Sequence, residues 1–151
     1  MTAVTPASTT DAYQRAIAQA EPNELKTAIG VYDFTKQGGA QGTIALNGKT
    51  VIPSGAVIVG GFVDVTVALL SGGAATIACQ VNAANDVLTA VAVASWTTGR
   101  KNVLPSPTTG ALTASTAVKT TAARDISFAI AAADLTAGVC KVVLYYYEPT
   151  A

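Results

Sequence analysis

From Val51 to Leu70 the chain reads VIPSGAVIVGGFVDVTVALL, and this run leaves few folds open. Proline fixes φ and glycine permits positive φ, so Pro53-Ser54-Gly55 predicts a turn. Beyond it the residues alternate. Val57, Val59, Gly61, Val63, Val65, Val67 and Leu69 fall on one face of an extended strand, and Ile58, Gly60, Phe62, Asp64, Thr66, Ala68 and Leu70 on the other. Period-two alternation of β-branched residues predicts a strand with one fully buried face and one half-covered face. Gly60-Gly61 has no side chain to pack in mid-strand, which predicts a bulge or sharp bend rather than a flat ribbon.

Around this strand the chain shows turn signals at short spacing. Asp11 has the spacing of a helix N-cap, with Gln14 completing a capping box, and Tyr13, Ala16, Ile17 and Ala20 follow at helical spacing before Pro22. A helix over Ala12–Ala20 is too short to be stable alone. It must dock, either on its own sandwich or on a neighbouring subunit. Leu25–Thr35 reads as a strand through Ile29 and Val31, with Tyr32 and Phe34 as further candidates, turned by Gln37-Gly38-Gly39. Ala40–Leu46 is a second strand, and Asn47-Gly48 is a hairpin signal towards Thr50–Ile52. After the organising strand come a turn at Ser71-Gly72-Gly73, a strand over Ala75–Val81 and a loop over Asn82–Asp86. Val87–Ser95 reads as a strand, with a short helix as the competing reading because alanine favours helix. Trp96–Asn102 reads as a polar turn, and Pro105–Ala123 as a long loop with a short strand near Val118. Asp125–Ala131 puts Ile126, Phe128 and Ile130 on one face. Val139–Glu148 closes the chain with Cys140, Val142, Leu144 and Tyr146 on one face and Val139, Lys141, Val143, Tyr145 and Tyr147 opposite. About eight strands without βαβ alternation make an all-β fold, an antiparallel β-sandwich or jelly roll. Residues 1–26 form an N-terminal arm with a short helix, and residues 27–151 one sandwich domain.

Composition narrows the function. Half of the 151 residues are hydrophobic and only 12% are charged, with a mean hydropathy of +0.43. A surface so poor in charge implies that partners cover part of it. Net charge is zero, and no basic cluster exceeds Arg100-Lys101, so neither nucleic acid nor a polybasic membrane contact is expected. The uncharged run between Asp64 and Asp86 is broken by Ser71-Gly72-Gly73 and reads as two strands, not a membrane span. No signal peptide is read at the N-terminus, which points to synthesis and use in a cytoplasm or in something assembled there. Cys79 and Cys140 each sit on an apolar strand face and read as buried thiols in a reducing compartment. Spacing leaves a disulfide between them open.

The parts for catalysis are missing. Histidine is absent, which removes Ser-His-Asp and Cys-His activation and any standard zinc site. No phosphate-binding loop or dinucleotide fingerprint is present. Asp33, Asp64, Asp86, Asp125 and Asp134 are scattered. Two of them meeting as a glycosidase pair is one reading, and local capping of backbone N–H groups is the simpler one. No enzyme and no cofactor are expected. Tyr145, Tyr147, Trp96 and Tyr32 are candidates for a sugar-stacking platform, against the competing reading of sheet packing and a subunit interface. Arg100-Lys101 and Arg124-Asp125 read as turn charges or interface ion pairs.

Several stretches carry a resemblance: Val31-Tyr32-Asp33-Phe34 with Gly38-Gly39-Ala40; Ile52-Pro53-Ser54-Gly55 running through Gly60-Gly61-Phe62; Ala83-Ala84-Asn85-Asp86; Thr98-Gly99-Arg100-Lys101; Val118-Lys119-Thr120-Thr121 running to Arg124-Asp125; and Leu135-Thr136-Ala137-Gly138. In this order they resemble a family of tailed-bacteriophage virion proteins, from about Val31 to Tyr147, with the N-terminal arm outside the match. The resemblance implies a non-enzymatic structural protein of the phage particle. Its best placement is a capsid decoration (cement) protein with a jelly-roll body. Such a protein is a homotrimer bound to the major capsid protein on the capsid exterior, assembled in the host bacterial cytoplasm. The alternative it implies is a head-fibre or tail-associated receptor module that holds glycans with the aromatic residues. Candidate assembly contacts are Tyr13, Ile17 and Ala20 of the arm and Tyr145 and Tyr147 of the last strand.

Overall fold

A computed structural model describes residues 24–101 and 117–149; the expected N-terminal helix lies outside them. The described residues are all-β. In order they form β1 (Lys26–Asp33), the one-turn helix α1 (Phe34–Gln37), β2 (Gly42–Ala45), β3 (Asn47–Lys49), β4 (Val57–Ser71), β5 (Thr76–Gln80), β6 (Leu88–Ala92), a 3-10 turn (Val93–Ser95), β7 (Gly99–Lys101), β8 (Val118–Lys119), β9 (Ser127–Ala131) and β10 (Leu135–Tyr147). Ten strands replace the expected eight or so because β3, β7 and β8 hold only two or three residues each. The first sheet runs β3-β1-β10-β4-β7, with β8 also on β4, and the second runs β2-β9-β5-β6. Every pairing is antiparallel.

Both sheets bury side chains in one core. Ala28, Tyr32, Val63, Val65, Val142 and Leu144 enter it from the first sheet, and Ile77, Cys79, Phe128 and Ile130 from the second. Phe128 is the hub: its ring lies 5.7 Å from Tyr32 and 5.5 Å from Trp96, the latter edge-on. Such pairs add about 0.5–1.5 kcal/mol each beyond the area they bury. The inward faces expected of β9 and β10 are the observed ones: Ile126, Phe128 and Ile130, and Cys140, Val142, Leu144 and Tyr146, are all buried. Cys79 and Cys140 are free and buried. Burial pushes both thiols up, Cys140 to about 12.

Four expectations need correcting. First, the organising strand does not keep one face throughout. Tyr145 pairs with Gly60 but Tyr146 with Ile58, so Val59 is an extra residue. The bulge expected at Gly60-Gly61 is there, and it reverses the alternation. Ile58 points in before it and Gly61, Val63 and Val65 after it, while Val59 turns out to 48% exposure. Close approach explains the glycine: a Cβ on Gly61 would stand 2.3 Å from the Val143 carbonyl oxygen.

Second, Asn47-Gly48 is not a hairpin turn but part of a strand that changes sheets. Ala45 pairs with Ser127 in the second sheet and Asn47 with Val31 in the first. Leu46 crosses between them, buried, its N–H donating to the Ile126 carbonyl at 3.0 Å. Third, the described part of the expected polar turn Trp96–Asn102, up to Lys101, is not a polar turn. The Trp96 ring is buried, its carbonyl accepts from the Leu69 N–H at 3.0 Å, and Gly99–Lys101 forms β7 on β4. Fourth, the first strand ends at Asp33, short of Phe34 and Thr35, with Ala28, Gly30 and Tyr32 buried and Ile29 and Val31 half-buried on the other face.

Two polar devices hold the connections. Thr120, buried, joins the turn before β4 to the segment after β8. Its N–H donates to the Ala56 carbonyl (2.9 Å), its Oγ1 accepts from the Ala56 N–H (3.0 Å), and its hydroxyl donates to the Pro53 carbonyl. Asp86 closes the loop after β5, accepting from the N–H groups of Val81, Asn82 and Ala83 at 2.8–2.9 Å.

Candidate assembly surface

The outward residues of the six-stranded sheet form rows set by the register. Leu25 extends β1 by one residue and comes beside Tyr147, which pairs with Val57, which pairs with Lys119. The next row is Thr27, Tyr145 and Gly60, and the third is Lys49, Ile29, Val143 and Phe62. The fourth is Asn47, Val31, Lys141, Asp64 and Arg100. Tyr145 and Phe62 meet with ring centroids 6.4 Å apart, and the Arg100 guanidinium lies 4.7 Å from the centre of the Phe62 ring.

The face is therefore apolar along its centre over three rows, with Lys119 and Lys49 at its edges, and charged across the fourth. Leu25 (48%), Val59 (48%) and Tyr147 (37%) are large hydrophobic side chains left exposed at this end of the sheet. Beyond the charged row Val67 and Leu70 of β4 are exposed too. Lys26 and Glu148 pair at 3.0 Å at this end of the sheet, and this hydrogen bond raises the Lys26 pKa. The arrangement offers a flat apolar seat with an aromatic centre and a charged border, which suits burial against a partner.

Of the five residues expected to carry assembly contacts, Tyr145 and Tyr147 share this face, as their spacing of two requires. Tyr13, Ile17 and Ala20 lie outside the described residues. Phe62, Val59 and Leu25 belong to the same zone but were not singled out from sequence. Phe62 reaches Tyr145 only because of the β4–β10 register, which no local pattern encodes. The aromatic platform imagined for glycans does not assemble as a surface, because Tyr32 and Trp96 are buried against Phe128. Arg124 is bound through its backbone to Ile52, and the Asp125 carboxylate accepts from the Thr50 hydroxyl at 2.8 Å.

A second feature is a cavity of about 170 Å³ at the β6–β7 end, lined by Val63, Leu88, Val91, Ser95, Trp96 and Lys101. Among the described residues the Trp96 Nε1–H beside it has no hydrogen-bond partner. A water held there would satisfy that donor. The carboxylates do not gather: among the described residues no group of three or more His, Cys, Asp or Glu could hold a metal ion. No helix among them is long and apolar enough to cross a membrane.

No family model matches the chain, and no curated protein sequence does. Solved structures do. A chain of the Ralstonia phage GP4 capsid superposes with a TM-score of 0.60 at 18% identity, covering 85% of this chain and 86% of its own length. A chain of the cyanophage Pam1 capsid asymmetric unit gives 0.55 at 22% identity, covering 85% and 87%. A chain from the acid-stable capsid of Helicobacter pylori bacteriophage KHP30 gives 0.53 at 13% identity, covering 83% and 89%. At these identities the likeness is one of fold, and it extends over nearly the whole of each chain: the all-β architecture described above recurs in three phage capsids.

Proposed function

We propose that this chain is a non-enzymatic structural protein of a tailed-phage virion, a decoration (cement) protein that stabilises the head from its exterior. The observation that carries the reading is the near full-length likeness of fold to chains of three phage capsids. The low charge of the chain and the apolar outer zone of its larger sheet support it. Its body is read as a jelly-roll-like sandwich and its working form as a homotrimer bound to the major capsid protein.

A cement protein acts by burying surface across subunit boundaries, and a stable specific interface buries about 1,200–2,000 Å² in total. A trimer touching several capsid subunits at once turns modest contacts into strong ones through effective concentration. The arm residues Tyr13, Ile17 and Ala20 and the face residues Tyr145 and Tyr147 are the proposed contacts.

The test is size-exclusion chromatography with light scattering, alone and with expanded heads of the phage that encodes the chain. A trimer that co-migrates with heads is expected. A monomer that ignores heads would overturn the reading. Deleting residues 1–24 should lower head occupancy and leave the folded body intact, and undiminished decoration would remove the arm from the contact.

A further inference from the structure

We infer that the cavity between the edge strands of the two sheets is a binding site for a small aromatic carboxylate, its ring among Val63, Leu88, Val91 and Trp96 and its carboxylate at Lys101 and Ser95.

Both sheets build the site. β7 is an edge strand of the first sheet and β6 of the second. Leu88 and Val91 are three residues apart and would face opposite ways on a regular strand. Leu88 pairs with Cys79 and Val91 with Ile77, so β6 carries one residue more than β5 between these pairs. That bulge turns both side chains towards the inner face, where Ile77 and Cys79 are buried. On the other sheet Lys101 pairs with Val63, which is buried in the core. Directly opposed residues share a face, so this lysine points inward from an edge strand. The 3-10 turn Val93–Ser95 then carries the chain from one sheet edge to the other, and Trp96, its carbonyl bound to the Leu69 N–H, forms a wall.

The lining is graded. Val63, Leu88 and Trp96 are buried, Val91 and Lys101 half-buried and Ser95 exposed, so an apolar floor leads to a polar mouth. A cavity of about 170 Å³ is room for one ring, since an apolar cavity of about 150 Å³ takes up benzene. The Lys101 ammonium donates to the Thr97 hydroxyl at 2.7 Å and has further protons to give. Among the described residues no carboxylate pairs with it. The Trp96 Nε1–H is buried with no acceptor among those residues either, and a buried donor left unpaired is costly. Ammonium, hydroxyl and indole N–H all lack an acceptor oxygen, while the floor lacks an apolar body. A carboxylate on a single ring supplies both. A neutral ring would leave the cation unpaired, and a bare anion would leave the floor unfilled.

Benzoate is the probe. The chain has one tryptophan, so its NMR spectrum holds a single indole N–H peak, which reports on this wall. Titrating the full chain with benzoate should shift that peak saturably. Binding should be about tenfold tighter than that of acetate, which has the charge without the ring, or of benzyl alcohol, which has the ring without the charge. Lys101→Met should weaken benzoate by about tenfold and leave benzyl alcohol unchanged. Val91→Phe fills the space from a half-buried position on an edge strand and should abolish both. Peak dispersion shows whether each variant is folded, and where Val91→Phe is not, Lys101→Met decides. No saturable shift with benzoate would overturn the inference and leave Lys101 as a charge that guards the sheet edge against pairing. So would acetate or benzyl alcohol binding as tightly as benzoate, or undiminished benzoate binding by either folded variant.

Discussion

Replacing Thr120 by valine keeps the side chain's shape and removes one oxygen. That oxygen ties two segments 64 residues apart, accepting from the Ala56 N–H and donating to the Pro53 carbonyl. One lost partner, the Ala56 N–H, is buried and the other, the Pro53 carbonyl, is half-buried, and a buried polar group left unpaired costs about 1–3 kcal/mol. The Ala56 N–H and the Pro53 carbonyl keep a long mutual contact of 3.4 Å, so the low end of that range applies to each. The expected loss for Thr120→Val is therefore about 2–3 kcal/mol. Thr120→Ser keeps the hydroxyl and loses one methyl group, for about 1 kcal/mol. Urea unfolding measures both, with the slope m unchanged if only the native state is affected. A valine variant within about 0.5 kcal/mol of the parent would refute the reasoning. So would a serine variant less stable than the valine one, because packing and not the hydroxyl would then hold the turn.

Gly61→Ala should cost more, about 3 kcal/mol or above, because the new methyl meets backbone rather than a movable side chain, and should leave little soluble protein. Asp86→Ala removes the acceptor of three N–H groups, two of them partly buried, and should lower stability by about 1–2 kcal/mol in the same assay. The Asp33 carboxylate is held below the usual range by the Thr35 hydroxyl, its N–H and the Lys36 ammonium. An NMR titration should give a midpoint below that of a free aspartate. The small stabilisation it provides should be present above the unfolded-state value and vanish as pH falls through the folded one. Neither Cys79 nor Cys140 should react with a thiol reagent in the native protein, and both should react in urea. Fast native labelling would contradict their burial.

What could be read from the sequence follows from where alternation is continuous. In β9 one face is larger and more apolar than the other, so Phe128 could be placed inside directly; in β10 both faces carry valine and tyrosine, and only the reading of Cys140 as a buried thiol marked the inner side. In β4 every valine falls on one face of the alternation, yet Val63 and Val65 end up inside and Val59 and Val67 outside. The bulge at Val59 could be suspected from Gly60-Gly61, but its consequence could not: one added residue sends Val59 out and Ile58 in. Asn47-Gly48 has the local chemistry of a turn. Its role as strand depends on Leu46 reaching Ile126 and on Gly48 lying opposite Gly30, partners far away in the chain. Trp96 sits in a polar run with no periodicity, and only the shape of the core around Phe128 explains its burial. Tyr145 and Tyr147 were legible as neighbours because a spacing of two needs no register. Their company, Phe62, Val59 and Leu25, depends on register throughout.

The charged row also constrains what can cover the outer face. Lys141, Asp64 and Arg100 lie side by side across three strands, with no ion pair within 4 Å among them. In water such a row costs little, and its members gain little from one another. Under a partner that brought no compensating charge, each would lose its hydration without a close counter-ion, at several kcal/mol apiece. A flat partner spanning the whole sheet would therefore have to supply charges of its own or leave the row wet. An element about three rows long, placed over Tyr147, Val59 and Tyr145, meets neither demand, and it leaves Arg100 free to stay on the ring of Phe62. The pattern of the face thus favours a narrow, short occupant over a second broad sheet. Asp64→Ala, which leaves the apolar rows untouched, should then leave the proposed trimer intact, whereas Val59→Asp within the zone should abolish it at micromolar concentration. Equal effects of the two substitutions in light scattering would show that the charged row lies inside the contact and that the occupant is broad.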